Sequence, residues 1–173
     1  GAILDLLGEG VTDLAGATHA VEQYEEAMDA IAERSLDATI SIKLSQLGQT
    51  VDRGACLANL NDILDHAQSA GLRVEIDMEE SGLVSEALTL FRDAVTKQPE
   101  TRLAIQAALR RTPLDLEAMA SLKPRIRLVK GAYAPGTTTG GTKPNAQTSE
   151  CTDVLVISDT NLVGTGFANR HNW

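Results

Sequence analysis

From residue 12 onward the chain keeps a steady beat. Stretches in which apolar residues recur every three or four positions alternate with short runs in which they alternate or crowd together. In "TDLAGATHAVEQYEEAMDAIAERS" (12–35), Ala17, Val21, Tyr24, Met28 and Ile31 fall on one helical face. "ATISIKLSQLG" (38–48) is β-branched with period-two alternation, which predicts a strand. "DRGACLANLNDILDHAQSAG" (52–71) is helical again, with Leu57, Leu60, Ile63, Leu64 and Ala67 as its stripe and Gly71 as a C-terminal cap.

"LRVEIDMEES" (72–81) predicts a strand and "LVSEALTLFRDAVTKQ" (83–98) a helix; "TRLAIQAALRRT" (101–112) predicts the next strand. "TPLDLEAMASLK" (112–123) predicts a helix with Thr112 as N-cap and Pro113 in its first turn. "RIRLVKGAY" (125–133) closes the series, and "AILDLLGEGV" at the start supplies a further strand candidate. Strands and helices alternating at these lengths imply α/β architecture on a parallel sheet with right-handed crossovers.

The pattern stops near Tyr133. Residues 134–173 hold 8 threonines in 40 positions against 8 in the first 133, and 5 charged residues against 34. That shift predicts two regions, a β/α unit over 1–133 and an irregular Thr/Gly-rich tail over 134–173. "TDVLVIS" (152–158) is a candidate strand, but no crossover helix precedes it.

Composition narrows the function. A formal net charge of −9 argues against nucleic acid, whose phosphates call for surplus Lys and Arg. Nothing approaches the ~20 apolar residues of a membrane span. Cys56 and Cys151 read as free thiols in a reducing, cytoplasmic compartment. No signal peptide precedes the first element, and the start at Gly1 is that of a piece cut from a longer polypeptide. His19, His66 and His171 lie on different segments without metal-ligand spacing, so no metal is expected, and His19 and His66 are assigned to helix surfaces.

"GEGVTD" has Asp13 where a dinucleotide fingerprint needs its third glycine. "GTTTGGTK" has Thr142 where a phosphate loop needs lysine, and Pro144 blocks the helix that should follow. Both read as ordinary loops.

The polar residues within the strands carry more. Lys43, Asp77, Gln106 and Arg127 each stand in the later half of a strand candidate. Lys43 opposes the parity of Ile42 and Leu44, and Asp77 that of Ile76 and Met78, so both are expected to face the lumen and to pair across neighbouring strands. Inward residues at strand carboxyl ends line the mouth of a parallel barrel, where active sites sit. Glu79 and Glu80 are read as capping or solvating the turn after Asp77.

Taken together, "ISIKLSQLG", "VEIDMEES", "IQAALRRT" and "IRLVKGAY" resemble proline dehydrogenase in order and spacing. The resemblance covers residues 1–133 and implies a partial (β/α)8 TIM-type barrel of about five β/α units. It implies oxidation of L-proline to 1-pyrroline-5-carboxylate with non-covalent FAD. Lys43 and Asp77 look like the strand-end pair that helps close the proline pocket, and Gln106 like the glutamine hydrogen-bonded to the flavin ring. Arg127 resembles the arginine beside flavin N5, and Val129, Lys130, Gly131, Ala132 and Tyr133 the segment along the cofactor. Ala108 stands where many members have tyrosine. The family passes electrons to a membrane quinone, which implies at most peripheral membrane association.

The later barrel strands and the terminal helix of the family have no counterpart in the sequence. Weak catalysis by the chain alone is therefore expected, with self-association through open barrel edges. Two alternatives stand beside this reading. One is a Schiff-base lyase-type barrel with Lys43 as nucleophile; the other is a non-catalytic fragment that associates with a partner chain.

Overall fold

The structure is a computed structural model that describes residues 1–8, 10–131 and 155–157, the last three as backbone only. The order is β1 (Ala2–Asp5), α1 (Leu14–Glu33), β2 (Ala38–Ile42), α2 (Arg53–Ser69), β3 (Val74–Ile76), α3 (Val84–Lys97), β4 (Arg102–Gln106), α4 (Thr112–Met119), a 3-10 turn at Ala120–Leu122, β5 (Arg125–Val129) and β6 (Leu155–Ile157). The sheet runs β1-β2-β3-β4-β5-β6. The first five strands are parallel and pair in chain order, each joined to the next through a helix. That sequential winding is the arrangement of a β/α barrel, of which the chain forms an arc.

β6 pairs antiparallel with β5. The crossover helix expected before it is needed only for a parallel pairing.

Strand parity separates the two faces of the sheet. Ile40, Ile42, Val74, Ile76, Leu103, Ile105 and Ile126 join one apolar cluster with Tyr24, Met28 and Ile31 of α1, Leu60, Ile63 and Leu64 of α2, and Leu90 and Phe91 of α3. Burying each of the larger side chains contributes about 1.5–3 kcal/mol, so this layer holds the helices on the sheet. The opposite parity carries Ser41, Glu75, Arg102 and Arg125, which stand in register across β2 to β5. That second face is the lumen.

Strand ends and helix caps differ from expectation in informative ways. β2 stops at Ile42; beyond it the chain coils into turns, with Leu44 and Leu47 fully buried and Gly48 at φ +96°. β4 stops at Gln106, where Thr112 Oγ1 donates to the Gln106 carbonyl at 2.5 Å. Thr112 is thus the first residue of α4 and not its cap, which is Arg111. Asp13 and Asp52 cap α1 and α2, each accepting at 2.7 Å from a backbone N–H three residues on. That role accounts for the aspartate that spoils the "GEGVTD" fingerprint. Gly71, at φ +69°, ends α2 as predicted.

Candidate functional site

The four polar residues singled out along the strands come to the carboxyl edge of the sheet. Gln106 ends β4, Lys43 and Asp77 follow the last residues of β2 and β3, and Arg127 lies in β5 two residues before its end. Backbone pairing continues past the strands, because Asp77 N–H donates to the Ile42 carbonyl at 2.9 Å and Ala107 N–H to that of Val129 at 2.7 Å. The residues beyond the strand ends are therefore held nearly as firmly as those within them.

The expected Lys43–Asp77 pair does not form. Lys43 Nζ reaches back to β1 and lies 2.6 Å from both carboxylate oxygens of Asp5. Asp77 is taken from the other side by Arg127, whose Nη2 is 2.5 Å from Asp77 Oδ1. The geometry has a simple cause. On β4 the residue in register with Arg127 is Ala104, whose methyl lets the long guanidinium side chain pass over β4 to the carboxylates of β3.

Arg127 meets a second acid that the strand-by-strand reading missed. Glu75, with no exposed side-chain surface, places Oε1 2.6 Å from Arg127 Nε. The approach is close but poorly angled, and neither carboxylate oxygen of Glu75 has another partner among the described residues. Burial pushes the Glu75 carboxyl above the usual carboxylate range, with Arg127 and then Asp77 and Arg102 as smaller opposing and reinforcing influences. The signal was present in "VEID", since period-two alternation puts Glu75 and Asp77 on one face.

Gln106 is almost fully buried, and its side-chain amide nitrogen donates to the carbonyls of Met78 and Glu79 at 3.0 and 3.1 Å. Its Oε1 is buried with no partner among the described residues. With both amide hydrogens committed, the oxygen is an acceptor waiting for a donor. Gly131 follows β5 at φ +101°, and a Cβ there would lie 3.2 Å from Gln106 Cβ and 3.4 Å from Ala108 Cβ. The close approach that requires glycine is therefore onto Gln106, which it helps to fix in place. Val129 is half-buried and Lys130 exposed at the same strand end; Ala132 and Tyr133 lie outside the described residues.

A second shell ties the edge together. The Tyr24 hydroxyl donates to Gln46 Oε1 and accepts from the Lys43 N–H at 3.2 Å, and burial holds the phenol far above its ordinary pKa. Glu79 accepts from the Ser45 N–H at 2.9 Å and from the Ser45 hydroxyl. Glu79 is thus a link between the loops after β2 and β3, while only Glu80 is exposed as the turn reading had both. His19 is exposed, whereas His66 sits partly buried with Nε2 2.8 Å from Asp29 Oδ1 of α1. Cys56 is a free, buried thiol that burial pushes up to about 12. Cys151 and His171 fall outside the described residues. Among those described, no cluster of His, Cys, Asp and Glu is arranged to hold a metal ion, and no helix is long and apolar enough to cross a membrane.

The sequence model of the family described as proline dehydrogenase matches residues 1–148. The chain belongs to the proline dehydrogenase family. Proline dehydrogenase 1 of Bacillus subtilis subsp. natto is 36% identical over 132 residues, covering 76% of this chain and 44% of that protein. The proline dehydrogenase of Deinococcus radiodurans is 32% identical over 135 residues, covering 75% and 44%. Among solved structures, proline utilization A from Bdellovibrio bacteriovorus, inactivated by N-propargylglycine, superposes with a TM-score of 0.68 at 19% identity. That match covers 76% of this chain and 17% of the larger protein, and supports the barrel fold. A structure of proline utilization A with proline bound in remote sites gives a TM-score of 0.66 at 25% identity, covering 76% and 16%. The chain spans less than half the length of the curated proline dehydrogenases it matches.

Proposed function

We propose that this chain supplies the cofactor-binding half of a site that oxidises L-proline to 1-pyrroline-5-carboxylate with FAD. The observation that carries the reading is the pair formed by Gln106 and Arg127. A buried amide oxygen without a donor stands on the strand next to a guanidinium that keeps 18% of its side-chain surface exposed at the same edge. An isoalloxazine offers both complements, a ring N–H for the amide oxygen and a ring system that gains negative charge on reduction. The residues present therefore fit a flavin.

In this reading Gln106 accepts a hydrogen bond from the flavin ring, Arg127 stands beside its N5, and Val129, Lys130, Gly131, Ala132 and Tyr133 line the cofactor. When bound, FAD supplies the acceptor for the hydride that leaves proline. Arg127, held by its hydrogen bond to Asp77, stabilises the charge that develops on reduction with little need to reorganise. Lys43 and Asp77 bound the proline side of the pocket. Each is neutralised by a separate partner, so neither adds a bare charge to the lumen. The Asp5 carboxylate also occupies Lys43 Nζ at 2.6 Å, where a Schiff-base nucleophile would have to meet its substrate.

Electrons would pass to a quinone at a membrane surface, with the protein itself in the cytoplasm and peripheral at most. Completion of the barrel would come through the open sheet edge, by self-association or a partner chain, and residues 134–173 would form an irregular region apart from Leu155–Ile157, which pair with β5.

The test is a visible spectrum of the purified chain with FAD, before and after L-proline. Bound flavin bands that bleach on addition of proline support the whole reading. Bound flavin that stays oxidised limits the chain to the cofactor half, and failure to retain FAD overturns the proposal in favour of a non-catalytic fragment.

A further inference from the structure

Glu75 is a charge-bearing group that the flavin reading does not use. It lies on the lumen face of β3 in register with Ser41 on one side and Arg102 on the other, and none of its side chain is exposed. Its carboxylate has one close neighbour, Arg127 Nε at 2.6 Å, and no hydrogen bond of good geometry. Two residues on, just past the end of β3, Asp77 meets the other end of the same guanidinium at Nη2. An arginine met at Nε and Nη2 by two acids reached across β4 is restricted in the tilt of its plane, because the guanidinium is a rigid planar fork. Asp77 alone would leave it free to pivot about a single contact.

We infer that Glu75 is a positioning residue for Arg127, its buried carboxyl group setting the orientation in which the guanidinium faces the strand-end site. The inference rests on the flavin reading for its consequence, but the Glu75–Arg127 contact exists independently of any cofactor. The location argues against a role in folding stability alone. A buried ionisable pair is weak evidence for stability, because hydrophobic residues of similar volume commonly serve as well. A glutamate spent here contributes what an aliphatic side chain cannot, an ion-pair contact at Nε and a negative charge beside the arginine. The charged groups around it are Asp77 just past the end of its strand, Arg102 on β4 and Arg127 on β5, so its charge acts chiefly on arginines.

The experiment uses the full 173-residue chain labelled with nitrogen-15, in which the Nε–H resonance of Arg127 is assigned by its loss in R127K. The resonance is expected to be protected from solvent exchange in the parent and in D77N, where Asp77 serves only Nη2. In E75Q it is expected to shift and lose that protection. An unchanged Nε–H resonance in E75Q overturns the inference. Should E75Q fail to fold, the double variant E75L/R127L decides: recovered folding shows that the two groups answer to each other, and a double variant as unfolded as the single one overturns the link.

A second readout is the midpoint potential of bound FAD. Removing the negative charge beside Arg127 should raise it in E75Q, because the reduced flavin then faces a less neutralised cation. A glutamate with a purely structural role would lower the melting temperature and leave the potential in place, a result that confines Glu75 to the scaffold and overturns its role toward the site. If the parent chain retains no FAD, the flavin reading fails while the Nε–H resonance still decides the role of Glu75.

Discussion

Lys43 Nζ sits 2.6 Å from each carboxylate oxygen of Asp5, a residue 38 positions earlier on the first strand of the sheet. The lysine that sequence parity placed opposite Asp77 therefore answers to its other neighbour. Lys43 keeps 19% of its side-chain surface exposed and Asp5 keeps 35%, so solvent screens the pair in part. Its coupling energy should be about 1 kcal/mol, near the upper end for exposed pairs. Urea melts of D5N, K43M and the double variant should show that coupling, and the same cycle built on Asp77 and Lys43 should give close to none. A larger coupling to Asp77 would contradict the observed pairing.

Ala104 is the passage by which Arg127 reaches β3. Replacing it with leucine should cost about 1–3 kcal/mol through overpacking and displace the guanidinium from both acids. FAD affinity, read by quenching of flavin fluorescence, should fall in A104L far more than in A118L, a change of the same kind at an exposed position of α4. Equal losses would mean that the small residue at 104 plays no special part.

Glu75 makes a signed prediction about pH. Burial raises its folded-state pKa above that of the unfolded chain, so the folded state holds the proton more tightly. The stability this provides is complete below the ordinary glutamate pKa of about 4.3 and is lost as pH rises through the folded value. Urea midpoints of the parent should accordingly decline relative to E75Q on going upward from about pH 4.3. Parallel midpoint curves for the two proteins would show that Glu75 is ionised equally in both states.

Gly131 is required by conformation and by space together. G131A places a Cβ 3.2 Å from that of Gln106 in a backbone at φ +101°. The expected loss is about 1–3 kcal/mol of stability, with weakened FAD binding because Gln106 must move. A thermal melt and a fluorescence titration on the same variant separate the two effects. Full FAD affinity in G131A would show that Gln106 is fixed by its bonds to Met78 and Glu79 alone.

Much of this arrangement could be read from the chain. The helix stripes led by Tyr24, Leu60 and Phe91 are long enough for periodicity to show; parity places Lys43 and Asp77 on the lumen face, and position late in their strands marks Gln106 and Arg127. Which acid meets which base was not readable, because it depends on register between strands and on the size of the residue between them. Ala104 looks like any small residue in sequence, yet it decides that Arg127 reaches Asp77. Glu75 was passed over because one polar residue per strand was sought, and the buried acid lies two positions before the more obvious one. The strand lengths after Ile42 and Gln106 were overestimated for a related reason: Leu44 and Leu109 are buried in turns, where apolar alternation continues without a strand.

β1 has a further consequence. Among the described residues it is hydrogen-bonded on one flank only, and its four residues are exposed, Ile3 and Leu4 at 42% and 41%. A marginal strand of this kind frays earlier than the interior, so amides of Ala2–Asp5 should exchange with deuterium well before those of β3 and β4. Each fraying event carries Asp5 away and leaves Lys43 without its counterion. The charge state of the lumen at Lys43 is thus governed by how long an outer strand stays docked, and anything that seals that margin also keeps the lysine neutralised.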